Sequence, residues 1–335
     1  MKILYTNPFG ALTDWNARMR RMVELLREEG HEVRLLLVRD VQYTGKTGWY
    51  RTLFQKTYDE FQPDVILSHG AGLASNFVSK YGYKTVVDLG SFDSSEYMIQ
   101  KSGYVDNYKQ LMEMDNRHLI SRLNSGGIYL REKYTLENAK ATLTFDGWEN
   151  DLAKKIFKKA NIIAHSPLYI KDIDHKLPWD QRENKAIAVA AKWGRKSKNG
   201  KFVHHFNKHP WQNQAEGTFK IWRVGHSGGW IDFLPNEDIK KLMGQVKVVV
   251  CPMLTGANMV IAEGLKMGAN VVVQDAHPFH TYYNKEISFS LGDHQYQKCL
   301  SAIQKAFKRH YPSKKGLPDE RTQIRKLIKI LKSNL

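Results

Sequence analysis

Cysteine is scarce in this chain and long apolar runs are absent. Two cysteines in 335 residues, Cys251 and Cys299, make neither a disulfide framework nor a metal-ligand spacing, and both read as buried thiols in a reducing compartment. No apolar run approaches the ~20 residues that cross a bilayer, and no secretory signal, low-complexity tract or internal repeat is visible. Acid is short as well: 34 Asp and Glu stand against 51 Lys and Arg, a formal net charge of +17. Such a field favours an anionic partner. The shortage is uneven, because Ala191 to Pro210 contains no acid yet carries Lys192, Arg195, Lys196, Lys198, Lys201 and Lys208, with His204, His205 and His209 among them. The C-terminal segment adds Lys314, Lys315, Arg321, Arg325, Lys326, Lys329 and Lys332. A solvated helix face accounts for such runs as readily as a binding surface does.

The length suits two α/β domains better than one. In the first half, apolar runs at Met1 to Tyr5, Val33 to Val38, Asp64 to Ser68, Thr85 to Leu89, Ala141 to Phe145 and Asn161 to Ala164 alternate with helical stretches. Alternation of this kind predicts a parallel, doubly wound sheet. Asp14 is a candidate N-cap for a helix reaching about Glu29, with Met19, Met22, Val23 and Leu26 at helical spacing. A second series begins with Lys185 to Ala191 and continues through Phe219 to Val224, Val246 to Cys251 and Asn270 to Gln274. Between the series, 166–184 is polar, carries two prolines and lacks periodicity. The expected organisation is therefore a first domain over 1–165, a linker over 166–184, a second domain over 185–319 and a basic amphipathic helix over 320–335. Asp172-Ile173-Asp174 has the form of an Asp-x-Asp metal motif but lies in the linker, without the strand that motif needs, and no metal site is expected.

The most informative stretch runs from Cys251 to Val273. A β-branched strand, Val246 to Cys251, leads into Thr255-Gly256-Ala257-Asn258, where backbone N–H groups can approach a ligand closely. A helix from about Met259 to Met267 points its positive end at that turn, and Gly268 closes it before the next strand. Glu263 lies about one turn inside. Its carboxylate can accept the two hydroxyls of a ribose while loop amides and the helix dipole hold phosphates; alternatively it is a solvated glutamate in an ordinary βαβ unit.

Glu263-Gly264-Leu265-Lys266-Met267-Gly268 resembles the second half of the donor-binding segment of GT-B fold glycosyltransferases. That family often has an earlier glutamate eight positions before this one, where this chain has Thr255. Its members also carry Gly-Arg and then Lys-Gly after the first strand of the second domain, two cations that clamp the donor diphosphate. Arg195, in Trp193-Gly194-Arg195, matches the arginine, and Lys198-Asn199-Gly200 approximates the lysine-glycine pair with a slightly shorter loop, with Lys196 or Lys201 as substitutes for Lys198. The turn Asn7-Pro-Phe-Gly10-Ala11 after the opening strand is of the kind that faces the interdomain cleft. The resemblance implies two Rossmann-like domains facing a cleft and a nucleotide-sugar donor, UDP-linked by preference, with no cofactor or metal. Fixed cations would stabilise charge on the departing diphosphate.

Acceptor chemistry is sparser in the sequence. Asp88 and Asp93, in the segment after the Thr85 strand, are candidate general bases, as in phage DNA glucosyltransferases of the same fold; Ser91, Asp93 and Ser94 equally suit a helix N-cap. His69, at a strand end, is the alternative acceptor contact. The charge favours DNA with hydroxymethylated bases as acceptor. The runner-up is a glycolipid or polysaccharide at an anionic membrane face, and a non-catalytic nucleotide-sugar or nucleic-acid binding module is the remaining alternative. The expected location is cytoplasmic, in a host cytoplasm if viral, or peripheral at the inner membrane face.

Overall fold

A computed structural model describes residues 1–7, 17–37, 48–70, 83–89, 108–124, 128–145, 148–165, 169–170, 176–190, 199–208, 221–224, 236–253, 259–275, 282–311, 317 and 319–335. The chain divides into two compact units: Met1–Met98, Leu111–Tyr169 and Pro318–Leu335 form the first, and Ile99–Gln110 with Ile170–Leu317 the second.

Unit 1 is built on strands β1 (Lys2–Asn7), β2 (Glu32–Leu37), β3 (Val65–His69), β4 (Thr85–Asp88), β5 (Ala141–Thr144) and β6 (Ile162–Ala164). They form one sheet in the order β2-β1-β3-β4-β5-β6, with every described pair parallel. Helices α1 (Ala17–Glu28), α2 (Gly48–Phe61), α3 (Tyr108–Glu113), α4 (Asn116–Asn124), α5 (Ile128–Asn138) and α6 (Trp148–Ile156) lie between the strands in sequence, the unit boundary after Gln110 falling within α3. Residues along β1 alternate between two cores, as a sheet covered on both faces requires. Ile3 and Tyr5 pack with Met19, Met22, Val23 and Leu26 of α1, and Leu4 packs with Phe54 and Phe61 of α2. Gly30 follows α1 with a φ of +82°, a left-handed conformation that costs a glycine little.

Unit 2 carries β7 (Glu183–Val189), α7 (Gly200–Asn207), β8 (Ile221–Val224), α8 (Asn236–Gln245), β9 (Val246–Cys251), α9 (Met259–Lys266), β10 (Asn270–Gln274), β11 (Ser288–Phe289) and α10 (Gln295–Lys308). Its sheet order is β11-β10-β9-β7-β8, again parallel. The stretch read from sequence as an unpatterned linker to residue 184 is partly regular: Trp179–Gln181 is a 3-10 turn, and β7 already begins at Glu183.

Helix α11 (Glu320–Ser333), N-capped by Asp319 through the Thr322 amide, belongs to unit 1. Its Ile324, Leu327 and Leu331 enter the core that α1 covers. Ion pairs join the same two helices, Arg21 to Glu320 at 2.5 Å, Arg321 to Glu28 at 2.5 Å and Arg325 to Glu29 at 3.5 Å. Arg321 and Arg325 are thereby paired, while Lys326, Lys329 and Lys332 have no described carboxylate within ion-pair distance.

Candidate functional site

In an open parallel sheet, ligands bind beyond the carboxyl ends of the strands, where the strand order reverses. In unit 2 that reversal lies between β7 and β9, because the chain runs from β7 outward to β8 and from β9 outward to β10 on the other side. Arg195 and Lys198 follow the end of β7, and Thr255, Gly256, Ala257 and Asn258 follow the end of β9; all six lie outside the described residues, as do Gly10 and Asp93. The two strand ends are tied together. The side chain of Asn199, just ahead of α7, donates to the Pro252 carbonyl after β9 at 3.1 Å, with Asn199 itself at a φ of +52°.

Helix α9 opens on Met259, which is half-buried, and runs through buried Ile261, Ala262, Glu263 and Gly264. Glu263 is 9 % exposed. Burial pushes its carboxyl above the usual range and the nearby Lys240 ammonium opposes the rise. Among the described residues the carboxylate has no hydrogen-bond or ion-pair partner. A sequestered carboxylate without donors costs folding free energy, and a ligand that brings hydroxyl donors removes that cost.

The packing explains why the helix sits so close to the sheet. A Cβ on Gly264 would meet Val271 Cγ2 at 3.0 Å and Val249 at 3.3 Å, so this glycine permits the approach. At the far end, Gly268 has a φ of +76°, and the Arg182 guanidinium donates to the Met267 carbonyl at 2.8 Å and to the Leu177 carbonyl at 2.9 Å. One cavity of about 320 Å³, lined by Asp275, Ser288, Ser290, Lys298 and Lys305, opens beside β11 and α10 and contains none of the residues singled out by sequence.

Unit 1 reverses its strand order between β1 and β3. Beside that point the register pairs His69, the last residue of β3, with Asp88, the last of β4. Two of the residues marked by sequence are thereby brought together, His69 Nδ1 lying 3.5 Å from Asp88 Oδ2. Asp88 is 3 % exposed. Burial acts to raise its pKa, but Arg18, whose Nη2 is 3.4 Å away, outweighs this together with His69 and His165, and the carboxyl stays well below the usual range. Arg18 comes from the first turn of α1 and also lies over the Phe145 ring at 5.4 Å.

His165, just past β6, shares a 3.0 Å hydrogen bond with the Tyr169 hydroxyl. Burial holds its imidazole down at about 4, with Asp88 opposing and Lys326 and Arg18 adding to the depression. The same burial raises the Tyr169 phenol. Sequence reading missed Arg18, His165 and Tyr169. Their side chains meet Asp88 only through the fold, and no local spacing marks them.

No family model matches this sequence, and no curated protein matches it. Solved structures do. Sucrose-phosphate synthase from Thermosynechococcus elongatus superposes with a TM-score of 0.65 at 13 % identity, over 99 % of this chain and 97 % of the other. An alpha-glucosyltransferase in complex with UDP and a 13-mer DNA containing an HMU base gives 0.52 at 11 % identity, over 99 % of each chain. UDP-GlcNAc 2-epimerase from Neisseria meningitidis bound to UDP-GlcNAc gives 0.56 at 12 % identity, over 99 % of this chain and 100 % of the other. The chain has the GT-B fold of two Rossmann-like α/β units, as its sequence motifs predict.

Proposed function

We propose that this protein is a glycosyltransferase that moves a sugar from a nucleoside diphosphate, UDP by preference, to a hydroxyl of an anionic acceptor, with hydroxymethylated bases in DNA favoured. The observation that carries the reading is Glu263: a sequestered carboxylate without a described partner, on the helix that follows the strand-order reversal of unit 2. Two hydroxyls of a ribose would satisfy it. Arg195 and Lys198, in the acid-free segment after β7, would take the diphosphate, whose charge grows as the glycosidic bond breaks. The bound molecules of the structural neighbours support a UDP-linked donor, and the neighbour with DNA supports that acceptor class.

The acceptor hydroxyl must lose a proton. Asp88 is a poor base for this, since Arg18 and the two histidines hold it ionised far below neutrality. His69 is the better candidate, with Asp88 orienting its ring from 3.5 Å. The fold also serves a 2-epimerase, so the product must be identified. The test is Glu263→Gln against UDP in calorimetry. Losing a charge-assisted bond to a hydroxyl removes about 1.5 to 3 kcal/mol, a weakening of roughly 10- to 100-fold. Unchanged affinity in a folded variant refutes the donor site. With UDP-sugar and hydroxymethylated duplex, covalently labelled DNA supports transfer; a converted free sugar nucleotide and unlabelled DNA would instead identify an epimerase.

A further inference from the structure

Helix α7 presents two unlike stripes. Phe202, Val203 and Phe206 are buried, Phe202 stacking on Phe289 at 5.3 Å. The opposite stripe is Lys201, His204, His205 and Lys208, spaced i, i+3, i+4 and i+7, so that all four share one helix face. Lys201, His204 and Lys208 are exposed there. Among the described residues neither Lys201 nor Lys208 has a carboxylate within ion-pair distance. On α11, Arg321 and Arg325 are paired with Glu28 and Glu29, and Lys326, Lys329 and Lys332 are the cations left without a described acid. Lys208 chiefly, then partial desolvation, His205 and Arg223 of the adjoining edge strand β8 hold the His204 imidazole below the ordinary range.

We propose that this α7 stripe is a docking surface for the phosphate backbone of a nucleic acid, a role that rests on the anionic-acceptor reading and gives it a location on unit 2. From Lys201 to Lys208 is seven residues, about 10.5 Å along a helix axis. At about 3.4 Å of rise per nucleotide of one strand, that span covers roughly three phosphates. A lipid surface is the poorer occupant, because membrane-binding helices insert large apolar side chains, and those of α7 are packed inside the unit. A phosphate beside His204 would favour the charged imidazole, so docking takes up a proton there and strengthens as pH falls.

The experiment uses the full chain, a fluorescein-labelled duplex and no nucleotide-sugar, so that binding is read apart from transfer. Affinity is measured by anisotropy over a salt series for wild type, the double variant Lys201→Ala with Lys208→Ala, and His204→Gln, each checked by thermal melting. Each phosphate contact contributes about 0.9 to the log–log salt slope, so the double variant should lose about 1.8. His204→Gln should flatten the gain in affinity between pH 8 and pH 6. An unchanged slope in the folded double variant overturns the proposal, as does binding to phosphatidylserine vesicles with none to duplex. If duplex binding shows the expected slopes but no sugar is transferred, the docking surface stands and the transferase reading falls. Sugar transfer to duplex with an unchanged slope does the opposite: the transferase reading stands and the α7 surface falls.

Discussion

His165 offers a direct measure of how tightly the polar cluster of unit 1 is sealed. Its imidazole titrates at about 4 in the folded protein against an ordinary 6.5 in the unfolded chain. Between those values the unfolded chain binds the proton and the folded one does not, so stability rises with pH. It is complete above 6.5, falls progressively as the pH is lowered and has lost its full share below about 4. At 1.36 kcal/mol per unit the total is about 3 kcal/mol, of which about 2 kcal/mol is lost between pH 7.5 and pH 5. The perturbation is His165→Gln, which cannot titrate but can keep a hydrogen bond to Tyr169. Because the two units need not unfold together, the readout is urea-dependent hydrogen exchange of the β3, β4 and β6 amides at both pH values. Wild type should lose about 2 kcal/mol more than the variant on acidification. Equal losses would mean that the imidazole protonates freely in the folded state, and the sealed cluster would be wrong.

Three further expectations concern the proposed diphosphate clamp, the proposed base and the contact of α9 with its sheet. If Arg195 holds the donor diphosphate as proposed, Arg195→Ala should depress turnover more than it weakens binding of the sugar-free nucleoside; equal losses of nucleoside and nucleoside diphosphate affinity would remove it from the proposed clamp. His69→Gln should cut transfer by roughly 100-fold while leaving UDP binding intact, whereas a loss of that size confined to Asp93→Asn would pass the base role to Asp93. Gly264→Ala should destabilise unit 2 by about 1 kcal/mol, because crowding against Val271 and Val249 exceeds the gain in helix propensity. A raised melting temperature in that variant would show that the sheet yields.

Most of the fold was legible because its strands are short β-branched runs punctuated by glycine and polar turns. Val246–Cys251 and Asn270–Gln274 fall where the sequence places them. Others shift by a residue or two, as at Glu183, where a charged start to β7 hides a strand that pairs from its first residue with Val246. The part of the candidate site proposed to hold the donor is local. β9, α9, Glu263 and Gly268 all lie within one βαβ unit, so their placement follows from local pattern.

The cluster around Asp88 is the opposite case. Arg18 and Asp88 are 70 residues apart and meet because the reversal of strand order puts the start of α1 beside the end of β4. Sequence could nominate Asp88 and His69 as side chains at strand ends, but not the arginine that changes what Asp88 can do. An aspartate read alone is a candidate base; beside a buried guanidinium it is a fixed anion, better suited to orienting a histidine than to accepting a proton. Charge behaves in the same way. The basic runs of α7 and α11 look alike as text, yet Arg321 finds Glu28 across 293 residues while Lys201 and Lys208 find no described acid. The net charge of +17 is therefore a poor guide to where an anion binds. The usable quantity is the charge left unpaired after folding: among the described residues of these two helices, Lys201 and Lys208 on α7, and Lys326, Lys329 and Lys332 on the C-terminal helix; α7 is the surface to mutate first because it follows β7, at the strand-order reversal of unit 2.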